Sequence, residues 1–150
     1  MRPDWCWRAV LMAVGGQRIP SAQRPLELAV VDDNALFRRT LIRLVGRQPE
    51  LTMIAEAACG DEMAALLAER EPELLLLDLE VGAESGFDLL PRALASNPDL
   101  AVILLTGHDP VALQAAAVAS GARSCWSKSD LRPLLEQLAR LGAAPAPVLR

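Results

Sequence analysis

Four leucines in a row, Leu74 to Leu77, run straight into a carboxylate, Asp78. An apolar run this short, bounded by polar residues, has no face to turn toward water. As a strand it must be buried on both sides. A strand buried on both sides needs cover on each face of its sheet, and the usual cover is helices in crossover connections. The run therefore predicts a parallel sheet between two helical layers, with Asp78 at a strand's carboxyl end.

The same alternation extends along most of the chain. Residues 26–31 read as a first strand that ends in Asp32-Asp33. Residues 34–47 follow a helical period, with Phe37, Leu41, Leu44 and Val45 on one side. Arg38, Arg39, Arg43 and Arg47 lie elsewhere on that helix and read most simply as a solvated face. Residues 51–57 give a second strand, and 61–70 a second helix with Met63, Leu66 and Leu67 inward. The third strand covers 73–78, and a polar loop, 79–85, follows it. The third helix covers 86–95, and Pro91 must lie near its first turn or kink it. Residues 100–105 are a fourth strand with Thr106-Gly107-His108 as its loop. The fourth helix, 109–120, has Pro110 at the favoured first position and Gly121 as its left-handed stop. A fifth strand, 122–127, leads to Ser129 or Asp130 as the cap of a fifth helix. Leu131, Leu134, Leu135, Leu138 and Leu141 make one apolar stripe on that helix.

Five β-α units over residues 26–141 predict a single α/β domain with a doubly wound parallel sheet. Residues 1–25 read as an N-terminal extension outside that fold, helical at most over 5–14. A start at Met12 would account for part of it equally well. Residues 142–150, with two Ala-Pro steps, read as a disordered tail or a linker stub.

Composition narrows the function. Leu (27) and Ala (25) make up about a third of the 150 residues and Tyr is absent, so the core is aliphatic. The net charge is -4; residues 1–25 hold four Arg against one Asp, leaving 11 basic and 18 acidic residues (-7) beyond them. An acidic domain of this kind is a poor partner for nucleic-acid phosphates. No apolar run approaches the length of a membrane span, so no membrane association is expected. The apolar stretch 9–14 is too short for a signal peptide and is flanked by Asp4 and Arg8. Cys6, Cys59 and Cys125 form neither a disulfide framework nor a metal-ligand spacing, which points to a reducing, cytoplasmic setting. Of 15 basic residues, 14 are Arg and one is Lys, Lys128. A lone Lys among so many Arg marks a position where a compact ammonium serves and a planar fork does not.

The polar residues gather where such sheets bind ligands, at the carboxyl ends of strands. The first strand ends in Asp32-Asp33, the third in Asp78, the fourth in Thr106, and the fifth in Ser127-Lys128. Three carboxylates on one rim repel each other unless a cation sits among them. Hard oxygen donors with open positions suit Mg²⁺. A lysine and a threonine hydroxyl beside that ion could take the remaining oxygens of a phosphoryl group.

Five pieces in order carry a resemblance: Val-Val-Asp-Asp-Asn (30–34), Leu-Leu-Leu-Asp-Leu (75–79), Gly86, Leu-Leu-Thr-Gly (104–107), and Gly-Ala…Ser-Lys-Ser (121–129). Residues 26–141 resemble the receiver domain of a two-component response regulator, closest to the class usually joined to helix-turn-helix output domains. The resemblance implies a flavodoxin-like (βα)₅ fold with strand order 2-1-3-4-5. It implies that Asp78 accepts a phosphoryl group from a sensor histidine kinase or a phosphotransfer protein. It implies Mg²⁺ held by Asp33 directly, Asp32 through water, Asp78, and the Glu80 backbone carbonyl. Thr106 and Lys128 would meet the phosphoryl oxygens, with Lys128 first paired to Asp78. His108 reads as a solvated loop residue or, with the Glu80 side chain, as a bracket that sets the phosphoryl lifetime. The family's precedent makes the first helix a kinase-docking surface, and a homodimer would use the fourth helix, fifth strand and fifth helix.

This sequence departs from the family in three places. The switch aromatic three residues before the lysine is replaced by Cys125, with Trp126 beside it. Ser129 follows the lysine where many members have Pro, and the loop 80–85 lacks the common Pro. Within 150 residues no output domain follows, which reads as a stand-alone receiver or a chain cut at its linker. Two rivals remain. A degenerate receiver would bind proteins without being phosphorylated. A haloacid-dehalogenase-like phosphatase would need a second Asp two residues after the nucleophile, where Glu80 stands. The expected role is signalling rather than enzymatic turnover.

Overall fold

The computed structural model of the chain describes residues 24–143. The expectations for residues 1–23 and 144–150, including the 5–14 helix, Cys6 and the Ala-Pro tail, lie outside the described residues. Five strands, β1 (Leu26–Val31), β2 (Leu51–Ala57), β3 (Leu74–Asp78), β4 (Ala101–Thr106) and β5 (Ser124–Ser127), alternate with five helices. The helices are α1 (Ala35–Val45), α2 (Gly60–Arg70), α3 (Gly86–Ser96), α4 (Pro110–Ala119) and α5 (Arg132–Ala143). The sheet is parallel throughout, in the order β2-β1-β3-β4-β5. This is the flavodoxin-like topology that the resemblance implied.

Strand alternation explains the four leucines. Leu75 and Leu77 pack with Met63, Leu67, Leu89 and Leu90 on the face covered by α2, α3 and α4. Leu74 and Leu76 pack with Leu41, Val45, Leu134 and Leu138 on the face covered by α1 and α5. All four are at most 1% exposed. At ~1.5–3 kcal/mol for each fully buried large aliphatic side chain, these four contribute roughly 6–12 kcal/mol, split between the two layers.

The helix ends follow local chemistry. Asn34 Oδ1 accepts from the N–H groups of Leu36 (3.0 Å) and Phe37 (3.1 Å), fixing the start of α1 directly after Asp33. Asp109 caps α4 through Val111 N–H at 2.9 Å, and Pro110 fills the first turn. Gly121 ends α4 with φ +105°, a conformation costly for any residue with a Cβ. Asp130 Oδ1 accepts from Arg132 N–H at 3.2 Å, selecting Asp130 over Ser129 as the cap of α5.

Three local features differ from the sequence-based expectation. The loop after β3 is ordered as a two-residue antiparallel ribbon, Glu80–Val81 against Glu84–Ser85, turning at Gly82 (φ +61°). Turn chemistry at Gly82 allows this, and strands of two residues are too short to show a period. Pro91 sits in the second turn of α3 rather than the first, forgoing the hydrogen bond its N–H would have given there. Finally, α5 runs to Ala143 and includes Gly142, where a Cβ would lie 2.4 Å from the Glu50 carbonyl oxygen. Glycine there marks close backbone approach, not the end of the helix.

Candidate functional site

The carboxyl ends of β1, β3, β4 and β5 bring five side chains to one rim. Asp32 and Asp33 follow β1, Asp78 closes β3, Thr106 closes β4, and Lys128 follows β5. Carboxylate oxygens of Asp32, Asp33 and Asp78 lie within 4.8 Å of one another. Lys128 Nζ is 2.5 Å from Asp32 Oδ2 and 3.3 Å from Asp78 Oδ2. Asp32, Asp78 and Thr106 are buried, while Asp33 is exposed. Together with Glu80 and His108 these residues line an open cavity of about 400 Å³, except Asp32, which lies beneath it.

The backbone fixes each group. Asp32 Oδ1 accepts from Asn34 N–H at 2.8 Å, so both Asp32 oxygens are engaged. The Arg38 guanidinium donates to the Asp32 carbonyl at 2.6 Å and reaches Glu56 Oε1 at 3.3 Å. Arg38 is therefore a brace of the rim and not part of a solvated face. The Lys128 N–H donates to the Thr106 carbonyl at 2.8 Å, continuing the β4–β5 pairing into the site. Thr106 Oγ1 accepts from His108 N–H at 3.0 Å. The Glu80 and His108 side chains meet above the rim, Oε1 to Nε2 at 3.2 Å, and both are exposed.

Electrostatics follow from this crowding. Burial, then the charge of Asp32, hold the Asp78 carboxyl above its ordinary value, against the pull of Lys128 and the Glu80 N–H. Burial alone would lower the Lys128 ammonium. Its hydrogen bond to Asp32 and the charges of Asp78 and Asp32 outweigh that, leaving it raised. Lys128 is thus fully charged at neutral pH. Three converging carboxylates offset by one ammonium leave an excess of negative charge with hard oxygen donors. That donor set fits a Mg²⁺-type ion, with Asp33 and Asp78 open to it.

The loop after Asp78 is held by contacts within it and from α2 and α3. Gly86 N–H donates to the Leu79 carbonyl at 2.8 Å, and a Cβ on Gly86 would lie 2.4 Å from the Asp78 carbonyl oxygen. Glu84 Oε1 accepts from Gly60 N–H at 2.9 Å, and its other oxygen pairs with Arg92 at 3.3 Å. Cys59 gives α2 no side-chain cap, so Glu84 serves that helix end from across the ribbon.

Cys125 is buried on the α4 side of the sheet and Trp126 packs on the other side. Cys125 N–H donates to Gln114 Oε1 at 2.9 Å, which accounts for the one strongly polar side chain on α4. Burial pushes the Cys125 thiol pKa up. The sequence reading missed the roles of Arg38, Glu84 and Gln114. Each is a contact between separate elements, and no local spacing carries it.

Comparison with known proteins bears on the family and the fold. The family model described as response regulator receiver domain matches residues 28–139. The chain is 32% identical over 103 residues to the transcriptional regulatory protein UhpA of Escherichia coli, covering 69% of this chain and 51% of that protein. It is 29% identical over 123 residues to a protein-glutamate methylesterase/protein-glutamine glutaminase of Anaeromyxobacter dehalogenans, covering 82% of this chain and 36% of that one. The chain thus spans about a third to a half of these curated relatives. Among solved structures, a Burkholderia pseudomallei response regulator with a phosphorylated aspartic acid, a calcium ion and citrate superposes with TM-score 0.65 and 29% identity, covering 75% of this chain and 65% of that one. A CheY-like receiver domain protein of Methanospirillum hungatei shares the fold, with TM-score 0.68 at 21% identity over 79% of this chain and 94% of that one.

Proposed function

Since residues 28–139 place this chain in the response regulator receiver domain family of two-component signalling, we propose that it is phosphorylated on Asp78 and signals through changed protein contacts. The observation that carries this reading is one juxtaposition. A strand-end carboxylate, Asp78, lies among two further carboxylates and within 3.3 Å of the chain's single lysine.

The donor is a phosphohistidine on a sensor kinase or a phosphotransfer protein. An Asp78 oxygen attacks phosphorus, the new O–P bond forms as the N–P bond breaks, and the leaving imidazole takes a proton from solvent. Lys128 stands ready for an equatorial oxygen, and the Thr106 hydroxyl proton is available for another. Asp33, Asp78 and the Glu80 carbonyl would hold Mg²⁺. Asp32, with both oxygens engaged, would reach it through water. When bound, the ion supplies neutralising charge to the approaching phosphoryl oxygens. Glu80 and His108, joined above the cavity, restrict water and so tune the lifetime of the product. The setting is cytoplasmic; no helix among the described residues is long and apolar enough to cross a membrane.

Incubation with Mg²⁺ and a small phosphodonor, read by intact mass, tests this. Wild type should gain one phosphoryl group and Asp78→Asn none. Labelling that persists in the variant would falsify the acceptor assignment.

A second reading is a receiver that works as a binding module without phosphorylation. The buried Cys125 at the switch position favours it, because a small side chain on a backbone held by Gln114 has little means of relaying a change at Asp78. Labelling without any structural response at α4 would support it.

A further inference from the structure

A second groove, apart from the acidic rim, opens on the α1–α5 side of the sheet. It runs between α1 and α5, with a volume of about 770 Å³, and Phe37, Thr40, Leu44 and Leu135 are among its lining. Lys128 lines this groove and the acceptor cavity both. The residue therefore stands between the two spaces. On the acceptor side its ammonium meets Asp32 and Asp78. On the groove side it lies 4.2 Å from the centroid of the Phe37 ring.

We infer that Phe37 is a positioning residue for Lys128. The negative face of an aromatic ring attracts an ammonium over it, and 4.2 Å lies well inside the range of that attraction. Two carboxylates alone would leave the flexible four-carbon stem free to swing toward the water of the groove. The Phe37 ring blocks that direction without offering a competing hydrogen bond. The ammonium stays on the acceptor side, placed for a phosphoryl oxygen. Phe37 is itself set by the start of α1, where its N–H is bound by Asn34 Oδ1 at 3.1 Å. The turn that aims Asp33 thus also fixes the ring.

This inference rests on the phosphorylation reading for its rate effect but not for its geometry, and two measurements keep them apart. The first uses metal-free protein. With one lysine in the chain, a lysine-selective isotope label reports on Lys128 alone. Its ε-methylene protons should be shifted upfield by the ring in wild type and in Phe37→Tyr, and return to ordinary values in Phe37→Leu. The second is the labelling rate with a small phosphodonor at saturating Mg²⁺. Phe37→Leu should slow it by about 3- to 10-fold, the reach of such a contact. The Mg²⁺ half-saturation should be unchanged, and Phe37→Tyr should restore the rate. An unshifted Lys128 signal in wild type overturns the inference. So does a rate equal to wild type in Phe37→Leu, or an equal loss in Leu and Tyr variants together with a lowered melting temperature. Wild-type protein that takes no label overturns the phosphorylation reading instead, while the lysine signal still decides the placement of Phe37.

Discussion

Lys128 is bound more closely by Asp32 than by Asp78, at 2.5 Å against 3.3 Å. Asp32 is fully buried, and its other oxygen is taken by the Asn34 backbone. The lysine is therefore anchored to a carboxylate with both oxygens already engaged and rests against one whose pKa is raised by burial. It can keep the first contact while its remaining protons turn to a new acceptor on Asp78.

This arrangement predicts that Lys128→Arg fails despite the conserved charge. An ammonium fits between two carboxylates and a ring face; a planar fork of five donors needs more width and fixed directions. Phosphodonor labelling should fall on the order of tenfold or more, as for a misplaced group at a transferring phosphoryl. Mg²⁺ binding, followed by calorimetry, should persist.

Asp78→Asn should stabilise the metal-free fold at neutral pH. Folding raises the Asp78 pKa, so the native chain binds that proton more tightly than the unfolded chain does. Stability then falls as pH rises from the ordinary carboxylate range through the raised value, and the full penalty applies above it. Asn removes the penalty, and Lys128 keeps Asp32 as its partner. The melting temperature should rise by a few degrees, about 3–6 °C per kcal/mol for a domain of this size. The difference should shrink as pH falls through that window, and also on adding Mg²⁺.

Gly86→Ala should be among the most damaging small substitutions. The new Cβ would meet the Asp78 carbonyl oxygen at 2.4 Å and the Leu79 Cα at 2.8 Å, both backbone atoms that cannot rotate away. We expect a loss of about 2–3 kcal/mol in denaturant unfolding, with the acceptor displaced. Phosphodonor labelling should therefore fall in the folded fraction too.

The sheet and its rim were readable because their signals are local. The four leucines before Asp78 announce a doubly buried strand, and the polar residues at strand ends announce a site. The flanking helices show the period expected of them, down to Met63, Leu66 and Leu67. The contacts that tune the site were not readable. Glu84 meets Gly60 from 24 residues away, Gln114 meets Cys125 across two elements, and Phe37 of α1 meets Lys128 beyond β5. Each depends on where the finished fold sets two helices and a strand, which periodicity does not encode. Arg38 was masked by its three arginine neighbours, since charge alone does not separate a brace from a solvated face.

Signalling from Asp78 toward α4 should be weak in the wild type. Cys125 is small, buried and bound through its N–H to Gln114, so it has no second arrangement for a phosphoryl group to favour. Amide exchange with and without beryllofluoride should show changes confined to the acceptor loop. Gln114→Ala should speed exchange at Cys125 by about five- to tenfold, the loss of roughly 1 kcal/mol of hydrogen bonding at the sheet edge. A large beryllofluoride response along α4 in wild type would sink the idea.

The face formed by α4, β5 and α5 supplies the expected self-association, if activation changes assembly. Val111 is 81% exposed there, among exposed alanines. With coupling this weak, sedimentation of the beryllofluoride form should match the apo form, and a larger species that Val111→Glu disperses would show that the phosphoryl site does reach α4. An unchanged size would leave a different protein as the readout.

The Lys128–Asp32 contact has a chemical consequence of its own. An acyl phosphate on Asp78 is a mixed anhydride, an efficient acylating agent. The chain's single lysine amine would lie within about a hydrogen bond of it. A neutral amine there could displace phosphate and weld the two side chains into an isopeptide, ending the protein's use after one cycle. Nitrogen attacks only through a free lone pair, and in Lys128 that pair carries the proton shared with Asp32. On the proposed reading, the buried aspartate would spare the site from self-acylation and keep the modification reversible.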